Sequence, residues 1–236
     1  MQAIIMAGGS GSRLRPLTND IPKPMVPIID RPVLELIIRH LKKHNITNIA
    51  MTLGYKADII KSAYGDGSKF GVNIRYYVED KPLGTAGGVK NASDFIKGEF
   101  IVISGDAVTD IDIKEMYEFH KDKGALITLA CKELEDVTGM GVLKVDEDGK
   151  VIEFMEKPEH TEEKLVNTGI YIMEKRALEL IPDGFYDFGR NLLPSLQSGL
   201  YAYETHNFWS DIGTLASYYM TNHFVASNPN LFGIML

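Results

Sequence analysis

The chain has 236 residues, 44% hydrophobic and 24% charged, with a formal net charge of −7 at pH 7. That length and apolar content suffice for one large α/β domain, and the acidic balance argues against a general nucleic-acid or membrane-surface binder, which normally shows a basic face. A single cysteine, Cys131, excludes an internal disulfide and a cysteine-based zinc site, and its setting after Leu129 and Ala130 marks it as a packing residue.

A short apolar run over residues 3–6 reads as a buried strand, with no basic segment, apolar stretch and cleavage site ahead of it. No later run approaches the roughly 20 apolar residues of a membrane span, so the expectation is a cytoplasmic protein without a membrane partner. Residues 7–24 then read Ala-Gly-Gly-Ser-Gly-Ser-Arg-Leu-Arg-Pro-Leu-Thr-Asn-Asp-Ile-Pro-Lys-Pro. Gly8, Gly9 and Gly11 allow tight turning and close approach of backbone N–H groups to a polyphosphate, while Arg13 and Lys23 supply positive charge. A dinucleotide fold needs a third glycine and a helix directly after it, and Pro16, Pro22 and Pro24 prevent that helix. A P-loop needs Gly-Lys followed by Ser or Thr, which is absent from this stretch. An ordinary βα connection is the plain alternative; Arg13 and the Pro-Lys-Pro that pins Lys23 favour a nucleoside triphosphate site.

The spacing predicts a helix over 32–44, a strand over 48–53, a helix over 56–64 and a strand over 72–78. His40 and His44 stand four apart, as zinc ligands can, but lack a third ligand and read as a solvated helix face. The stretch from Tyr64 to Ser68 reads as a turn. Residues 79–87, Glu-Asp-Lys-Pro-Leu-Gly-Thr-Ala-Gly, form a second glycine-rich loop with backbone available to a base edge, followed by a short helical stretch over 89–95.

A buried strand over 100–104 runs into Gly105 and Asp106. In open α/β sheets ligands sit beyond the carboxyl ends of strands, which suits Asp106 to a metal-bound triphosphate. The plain alternative is a turn or cap residue, with Asp110 or Asp112 capping the helix expected over 113–120. Strands alternating with helices to this point predict a Rossmann-like, mostly parallel sheet flanked by helices.

From residue 125 the strands come closer together, at 125–131, 141–145, 151–156 and 166–173, with a hairpin turn at Asp146-Glu147-Asp148-Gly149. This predicts a smaller β-rich part holding an acceptor pocket. Glu156 and Lys157 close one strand, and Asn167 and Thr168 open another; these side chains can contact sugar hydroxyls and phosphate, although each alone is more often a solvated loop residue. Helices near 175–180 and 187–196, a strand over 200–204 and a helix over 214–225 complete the order. Asp211, in Trp209-Ser210-Asp211-Ile212-Gly213, either caps that last helix or joins Asp106 on Mg²⁺, which prefers one or two carboxylates plus phosphate oxygens. One domain spanning 1–236 is expected, with 1–124 mainly nucleotide-binding and 125–236 mainly holding the phosphorylated acceptor.

These blocks, in this order, resemble the sugar-1-phosphate nucleotidyltransferases, and the branch most similar is mannose-1-phosphate guanylyltransferase. The resemblance rests on the opening loop with Pro22-Lys23-Pro24, Pro82-Leu83-Gly84-Thr85-Ala86-Gly87, Ser104-Gly105-Asp106, Glu156-Lys157-Pro158, Asn167-Thr168-Gly169 and the segment around Asp211. It implies that Gly8, Gly9, Gly11 and Ser12 wrap the phosphates, that Arg13 and Lys23 are catalytic, and that Asp106 and Asp211 bind Mg²⁺. Glu79, Pro82, Gly84 and Thr85 are implied at the nucleotide base, and Gly141, Glu156, Lys157, Asn167 and Thr168 at the sugar phosphate. The implied reaction is GTP with mannose 1-phosphate giving GDP-mannose and pyrophosphate. Thymidylyl or uridylyl transfer to glucose 1-phosphate is the alternative, and a non-catalytic sugar-nucleotide sensor the second.

The family commonly has an aromatic residue where Met140 stands. Many of its members continue into a left-handed β-helix that mediates assembly, whereas this sequence ends on the apolar Leu231-Phe232-Gly233-Ile234-Met235. Such a tail is expected either to have been cut from a longer protein or to pack on the domain or a neighbour, which leaves a homo-oligomer open.

Overall fold

In the computed structural model, which describes residues 1–234, the apolar opening becomes β1 (Gln2–Ala7), with Ile4 and Ile5 fully buried. After 3-10 turns at Ser12–Leu14 and Lys23–Met25 come the two-residue strands β2 (Pro27–Ile28) and β3 (Arg31–Pro32), which pair with each other. Helix α1 (Val33–Lys43) buries Leu34, Ile37, Ile38 and Leu41 at helical spacing and turns an Arg39–Glu35 ion pair of 2.8 Å outward. Then follow β4 (Asn48–Leu53), α2 (Ala57–Tyr64), β5 (Asn73–Val78), α3 (Gly84–Asn91), β6 (Phe100–Ser104), β7 (Ala107–Thr109) and α4 (Ile113–Asp122). The remainder is β8 (Ile127–Glu133), β9 (Gly141–Val145), β10 (Val151–Glu156), β11 (Leu165–Met173), α5 (Leu193–Ser195), β12 (Leu200–Glu204), β13 (Trp209–Asp211) and α6 (Leu215–Ser227). The fold is mixed α/β, with a mostly parallel central sheet flanked by helices, as the alternation of strand and helix patterns predicts.

Two compact units emerge, one of Met1–Pro82, Ile103–Ile111 and Asn207 onward, the other of Leu83–Val102 and Asp112–His206. Their segments interleave along the chain.

In the first unit β1, β4 and β5 run parallel, with Ala7 opposite Leu53 and Leu53 opposite Val78, so the carboxyl ends of all three strands share one end of the layer. The loops that leave this end carry Gly8, Gly54 and Glu79. Tyr55 N–H donates to the Gly8 carbonyl at 3.2 Å, Glu79 N–H to that of Leu53 at 2.8 Å, and Gly105 N–H to that of Met6 at 2.8 Å. Helix α6 starts in a capping box, Thr214 and Ser217 bonding each other's backbone N–H groups. After it, Phe232 and Ile234 are buried, and Arg31 donates to the Gly233 carbonyl at 2.9 Å. The apolar tail thus packs on its own unit through Ile234; Met235 lies outside the described residues.

In the second unit β10, β9, β11 and β8 pair antiparallel in turn, and β12 runs parallel to β8. Asp112 caps α4, accepting from Lys114 N–H at 2.9 Å and Glu115 N–H at 3.1 Å. Cys131 is buried, and burial pushes its thiol up to about 12, as befits a packing residue.

Three elements differ from the sequence reading. The helix expected over 89–95 begins at Gly84, so the second glycine-rich loop is the first turns of α3. Asp187 accounts for this: its Oδ1 accepts from both the N–H and the hydroxyl of Thr85 at 3.1 Å, while Tyr186 N–H donates to Leu83 and Gly87 N–H to Tyr186. The helices expected at 175–180 and 187–196 are a 3-10 helix (Lys175–Leu180) and a π-helix (Phe188–Leu192) leading into α5. The ribbon of β7 with β13 has three residues a side, too short for a periodic signal. Among the described residues no helix is long and apolar enough to cross a membrane.

Candidate active site

The glycine-rich loop leaves β1 with Gly9 and Ser10 exposed. Of Gly8, Gly9 and Gly11, the last alone takes a left-handed backbone, at φ +63. Its position is crowded as well, since a β-carbon there would lie 3.0 Å from Lys23 Cβ and 3.1 Å from Thr18 Cγ2. Thr18 Oγ1 donates to the Gly11 carbonyl at 2.8 Å and fixes the loop from beneath. Ser12 and Arg13 follow on the 3-10 turn, both exposed, while Leu14 anchors the turn in the core.

Lys23 stands between the buried Pro22 and Pro24, and its ammonium forms an ion pair with Asp106 Oδ2. Ser104, at the end of β6, donates its hydroxyl to the other oxygen, Oδ1, at 2.5 Å. Between them Gly105 passes so close to β1 that a side chain there would come within 2.8 Å of the Met6 carbonyl oxygen. Burial pushes the Asp106 carboxyl up, but the Lys23 ammonium and the hydrogen bonds from Lys23 and Ser104 outweigh it and hold the group below the usual carboxylate range.

Asp211 reaches the same place from the far end of the chain. The β7–β13 ribbon sets it opposite Ala107, and Ile212 N–H donates to the Asp106 carbonyl at 3.1 Å. Thr214, not Asp211, caps α6. Burial and then the Asp106 charge push the Asp211 carboxyl above its usual range, against the pull of Lys23 and Arg13. Two carboxylates, one resisting ionisation beside the other, form an oxygen-only donor set suited to a hard divalent cation. Among the described residues no third carboxylate, histidine or cysteine joins such a group.

Glu79 follows β5 on the same unit, and its Oε1 lies 3.8 Å from where a Gly8 β-carbon would sit. Pro82 ends the first chain segment of this unit. Eight of the twelve residues assigned to phosphate, base or metal, namely Gly8, Gly9, Gly11, Ser12, Arg13, Lys23, Asp106 and Asp211, thus gather at the carboxyl ends of the parallel strands with Glu79 beside them.

The other assigned residues lie on the second unit. Gly84 and Thr85 open α3, where the Thr85 hydroxyl bonds Asp187 and also accepts from Phe188 N–H at 2.8 Å. Glu156 holds its carboxylate against Gly141 and Gly189, and Lys157 lies 3.6 Å from it in a left-handed conformation, φ 50. Asn167 is engaged within its own strand, its Nδ2 donating to the Tyr171 hydroxyl at 2.8 Å and its Oδ1 accepting from Gly169 N–H at 3.0 Å. Thr168 is 3% exposed and donates its hydroxyl to the Ala130 carbonyl at 2.7 Å inside the sheet. Alternation along β11 turns it inward, as it does Val166 and Ile170.

Two residues with clear roles escaped the sequence reading. Ser104 left a signal, a hydroxyl two positions before an aspartate at a strand end. Asp187 left none, since its partner Thr85 is far away in the chain.

Residues 2–228 match the nucleotidyl transferase family. The chain is 40% identical over 93% of its length to a UTP–glucose-1-phosphate uridylyltransferase of Synechocystis, covering 62% of that protein, and 31% identical over 91% of its length to a mannose-1-phosphate guanylyltransferase of Mycobacterium tuberculosis, covering 61% of it. It thus spans about three fifths of those relatives. It is also 36% identical over 97% of its length to a D-glycero-alpha-D-manno-heptose 1-phosphate guanylyltransferase of Campylobacter jejuni, all of which it covers. The crystal structure of HddC from Yersinia pseudotuberculosis superposes with a TM-score of 0.84 at 32% identity, covering 94% of this chain and 98% of that one. Another structure of HddC, complexed with GMP-PN, gives 0.83. This chain belongs to the nucleotidyl transferase family.

Proposed function

We propose that the protein transfers a nucleotidyl group from a nucleoside triphosphate to a sugar 1-phosphate and releases pyrophosphate. The observation that carries this reading is the gathering of Lys23, Asp106 and Asp211 beside the Gly11–Arg13 turn at the carboxyl ends of parallel strands. An oxygen of the sugar phosphate attacks the α-phosphorus as the bond to the β-phosphate breaks, in line and without a covalent enzyme intermediate. Such a reaction needs positioning and electrostatic stabilisation more than a side-chain nucleophile.

In this scheme the loop N–H groups around Gly11 and Ser12 hold the phosphates, Arg13 meets charge that develops on the transferring group, and Lys23 takes phosphate oxygens. Asp106 and Asp211 hold Mg²⁺, whose chemistry when bound is to neutralise phosphate charge and polarise the phosphorus. Glu156 and Lys157 hold the sugar phosphate. Asn167 and Thr168 support the strand that lines that region, Thr168 from inside the sheet.

The proposed base is guanine, because the Glu79 carboxylate is an acceptor that matches its adjacent N1–H and N2 donors. The proposed sugar is mannose 1-phosphate or a heptose phosphate of the same manno configuration, in keeping with the guanylyltransferases among the relatives. Uridylyl transfer to glucose 1-phosphate is the second reading, favoured by the 40% identity to the Synechocystis protein. Pyrophosphate release across a panel of GTP, UTP, dTTP and ATP with mannose, heptose and glucose 1-phosphates separates them. No release with any pair overturns the transferase reading, and preference for UTP with glucose 1-phosphate replaces the first substrate assignment by the second.

A further inference from the structure

The ion pair between Lys23 and Asp106 joins two groups that the proposed reaction needs separately. A lysine that grips a triphosphate needs its ammonium clear of carboxylates, and a carboxylate that ligates a cation needs an uncommitted oxygen. In the structure both Asp106 oxygens are committed, Oδ1 to the Ser104 hydroxyl at 2.5 Å and Oδ2 to the Lys23 ammonium. Ser104 is neutral and stays compatible with a metal on the opposite oxygen. Lys23 is not compatible, since an ammonium and a divalent cation on the same oxygen repel each other.

The side chain is built for a swing of its head alone. Pro22 and Pro24 are buried on either side of Lys23, and its β-carbon lies against Gly11, so the base of the stem is fixed. Its flexible four-carbon reach leaves the charge free to exchange partners around that base. The Gly11–Arg13 turn, where the triphosphate is proposed to lie, begins at the residue its stem touches. Charge balance points the same way. One ammonium and one guanidinium, from Lys23 and Arg13, act on the two carboxylates of Asp106 and Asp211. A divalent cation arriving by itself overloads this set with positive charge, whereas a triphosphate arriving with its cation brings an excess of negative charge for Lys23 to follow.

We propose that Lys23 is an internal counter-ion that excludes a divalent cation from Asp106 Oδ2 until a triphosphate draws the ammonium away, so that metal and nucleotide bind together and not in sequence. This rests on the transferase reading above, and it adds that the same lysine antagonises metal binding before it serves catalysis.

The test is Mn²⁺ affinity, read by electron paramagnetic resonance on the full chain without nucleotide. Wild type binds Mn²⁺ weakly. Lys23→Met binds it more tightly by about tenfold or more, the scale of removing one nearby unit charge at a protein-like effective dielectric. Lys23→Arg keeps the charge and stays weak, and adding Asp106→Asn to Lys23→Met cancels the gain. A Lys23→Met affinity equal to or below that of wild type overturns the proposal. Should that variant fail to fold by circular dichroism, ¹⁵N NMR of lysine ammonium groups in wild type decides. The Lys23 signal is expected to shift with Mg²⁺ plus a non-hydrolysable GTP analogue but not with Mg²⁺ alone; a shift with Mg²⁺ alone, or with neither, overturns the proposal. A chain that releases pyrophosphate normally but shows no Lys23 effect on Mn²⁺ loses only this inference, whereas a chain inactive on every substrate pair loses the transferase reading itself.

Discussion

Ile212 donates its backbone N–H to the carbonyl of Asp106 at 3.1 Å, and through this bond the last ribbon strand delivers Asp211 beside Asp106. The two carboxyls are pushed in opposite directions, Asp106 down by Lys23 and Ser104 against its burial, Asp211 up by burial and by Asp106. Asp106→Asn and Asp211→Asn are each expected to cut pyrophosphate release by about a hundredfold or more, because an amide cannot balance a cation's charge. Their metal-free stabilities should diverge. Asp211 has a folded pKa above the unfolded one, so its ionisation costs stability as pH rises through that window, and Asp211→Asn should melt higher than wild type at neutral pH in a chelator. Asp106 has the reverse shift, so its ionisation contributes stability that is lost as pH falls, and Asp106→Asn should melt lower. Thermal denaturation in chelator checks both signs. Full turnover by either folded variant removes that residue from the mechanism.

Arg13 is exposed on the turn after Gly11, and its charge reaches Asp211. Arg13→Ala should therefore lower turnover by about a hundredfold, roughly 3 kcal/mol on the scale of a lost oxyanion donor, with a much smaller effect on nucleotide affinity. Single-turnover rates set beside nucleotide dissociation constants separate the two. Equal losses in both would show that Arg13 contributes binding alone.

How much was legible before folding follows the range of the interactions. The strands at 48–53, 100–104, 141–145, 151–156 and 200–204 were readable because each is a run of side chains long enough to show its own pattern, and they occupy the expected bounds. The opening glycine loop was readable for the same reason. The glycine-rich stretch around Gly84 was not, because Asp187 and Tyr186, far along the chain, supply the bonds that turn it into a helix. Asp211 was ambiguous between cap and ligand until Thr214 proved to be the cap. Thr168 looked like a surface polar residue, since the Ala130 carbonyl that accepts its hydroxyl comes from a neighbouring strand.

That buried bond predicts a structural, not catalytic, role for the Thr168 side chain. Thr168→Val should destabilise the protein by about 1 kcal/mol, the net worth of a hydrogen bond together with the acceptor it strands. The Michaelis constant for the sugar phosphate should hold. Urea denaturation and steady-state kinetics on the same variant check both halves, and a large rise in that constant with unchanged stability would put the hydroxyl back among the ligand contacts.

His120 supplies a pH dependence away from the site. It is 1% exposed, its Nδ1 lies 2.8 Å from Thr128 Oγ1, and burial pulls its pKa below the usual 6.5 despite the opposing charges of Glu99 and Glu174. The unfolded chain therefore takes up a proton before the folded one. Stability from the neutral ring is present above the unfolded pKa and declines as pH falls below it. The melting temperature of wild type should drop on acidification through this range, and His120→Gln should flatten that part of the profile. An unchanged slope in the variant assigns the dependence elsewhere.

The choice of base turns on Glu79. It follows β5 with its N–H on the Leu53 carbonyl, and its carboxylate lies next to Gly8 at the start of the phosphate loop. An ionised carboxylate only accepts, and guanine offers it two adjacent donors, N1–H and the N2 amino group. Uracil and thymine offer one donor between two carbonyl oxygens, which repel the same group. Glutamine in its place would donate to one of those carbonyls and accept from the ring N–H. Glu79→Gln should thus erode the preference for GTP over UTP by about 1–3 kcal/mol, the cost of losing a charge-assisted pair. The ratio of kcat/KM for the two nucleotides, measured with one fixed sugar phosphate, reads this directly. An unchanged ratio assigns base selection to the backbone around Pro82, Gly84 and Thr85, and a wild type that prefers UTP removes guanine from the assignment altogether.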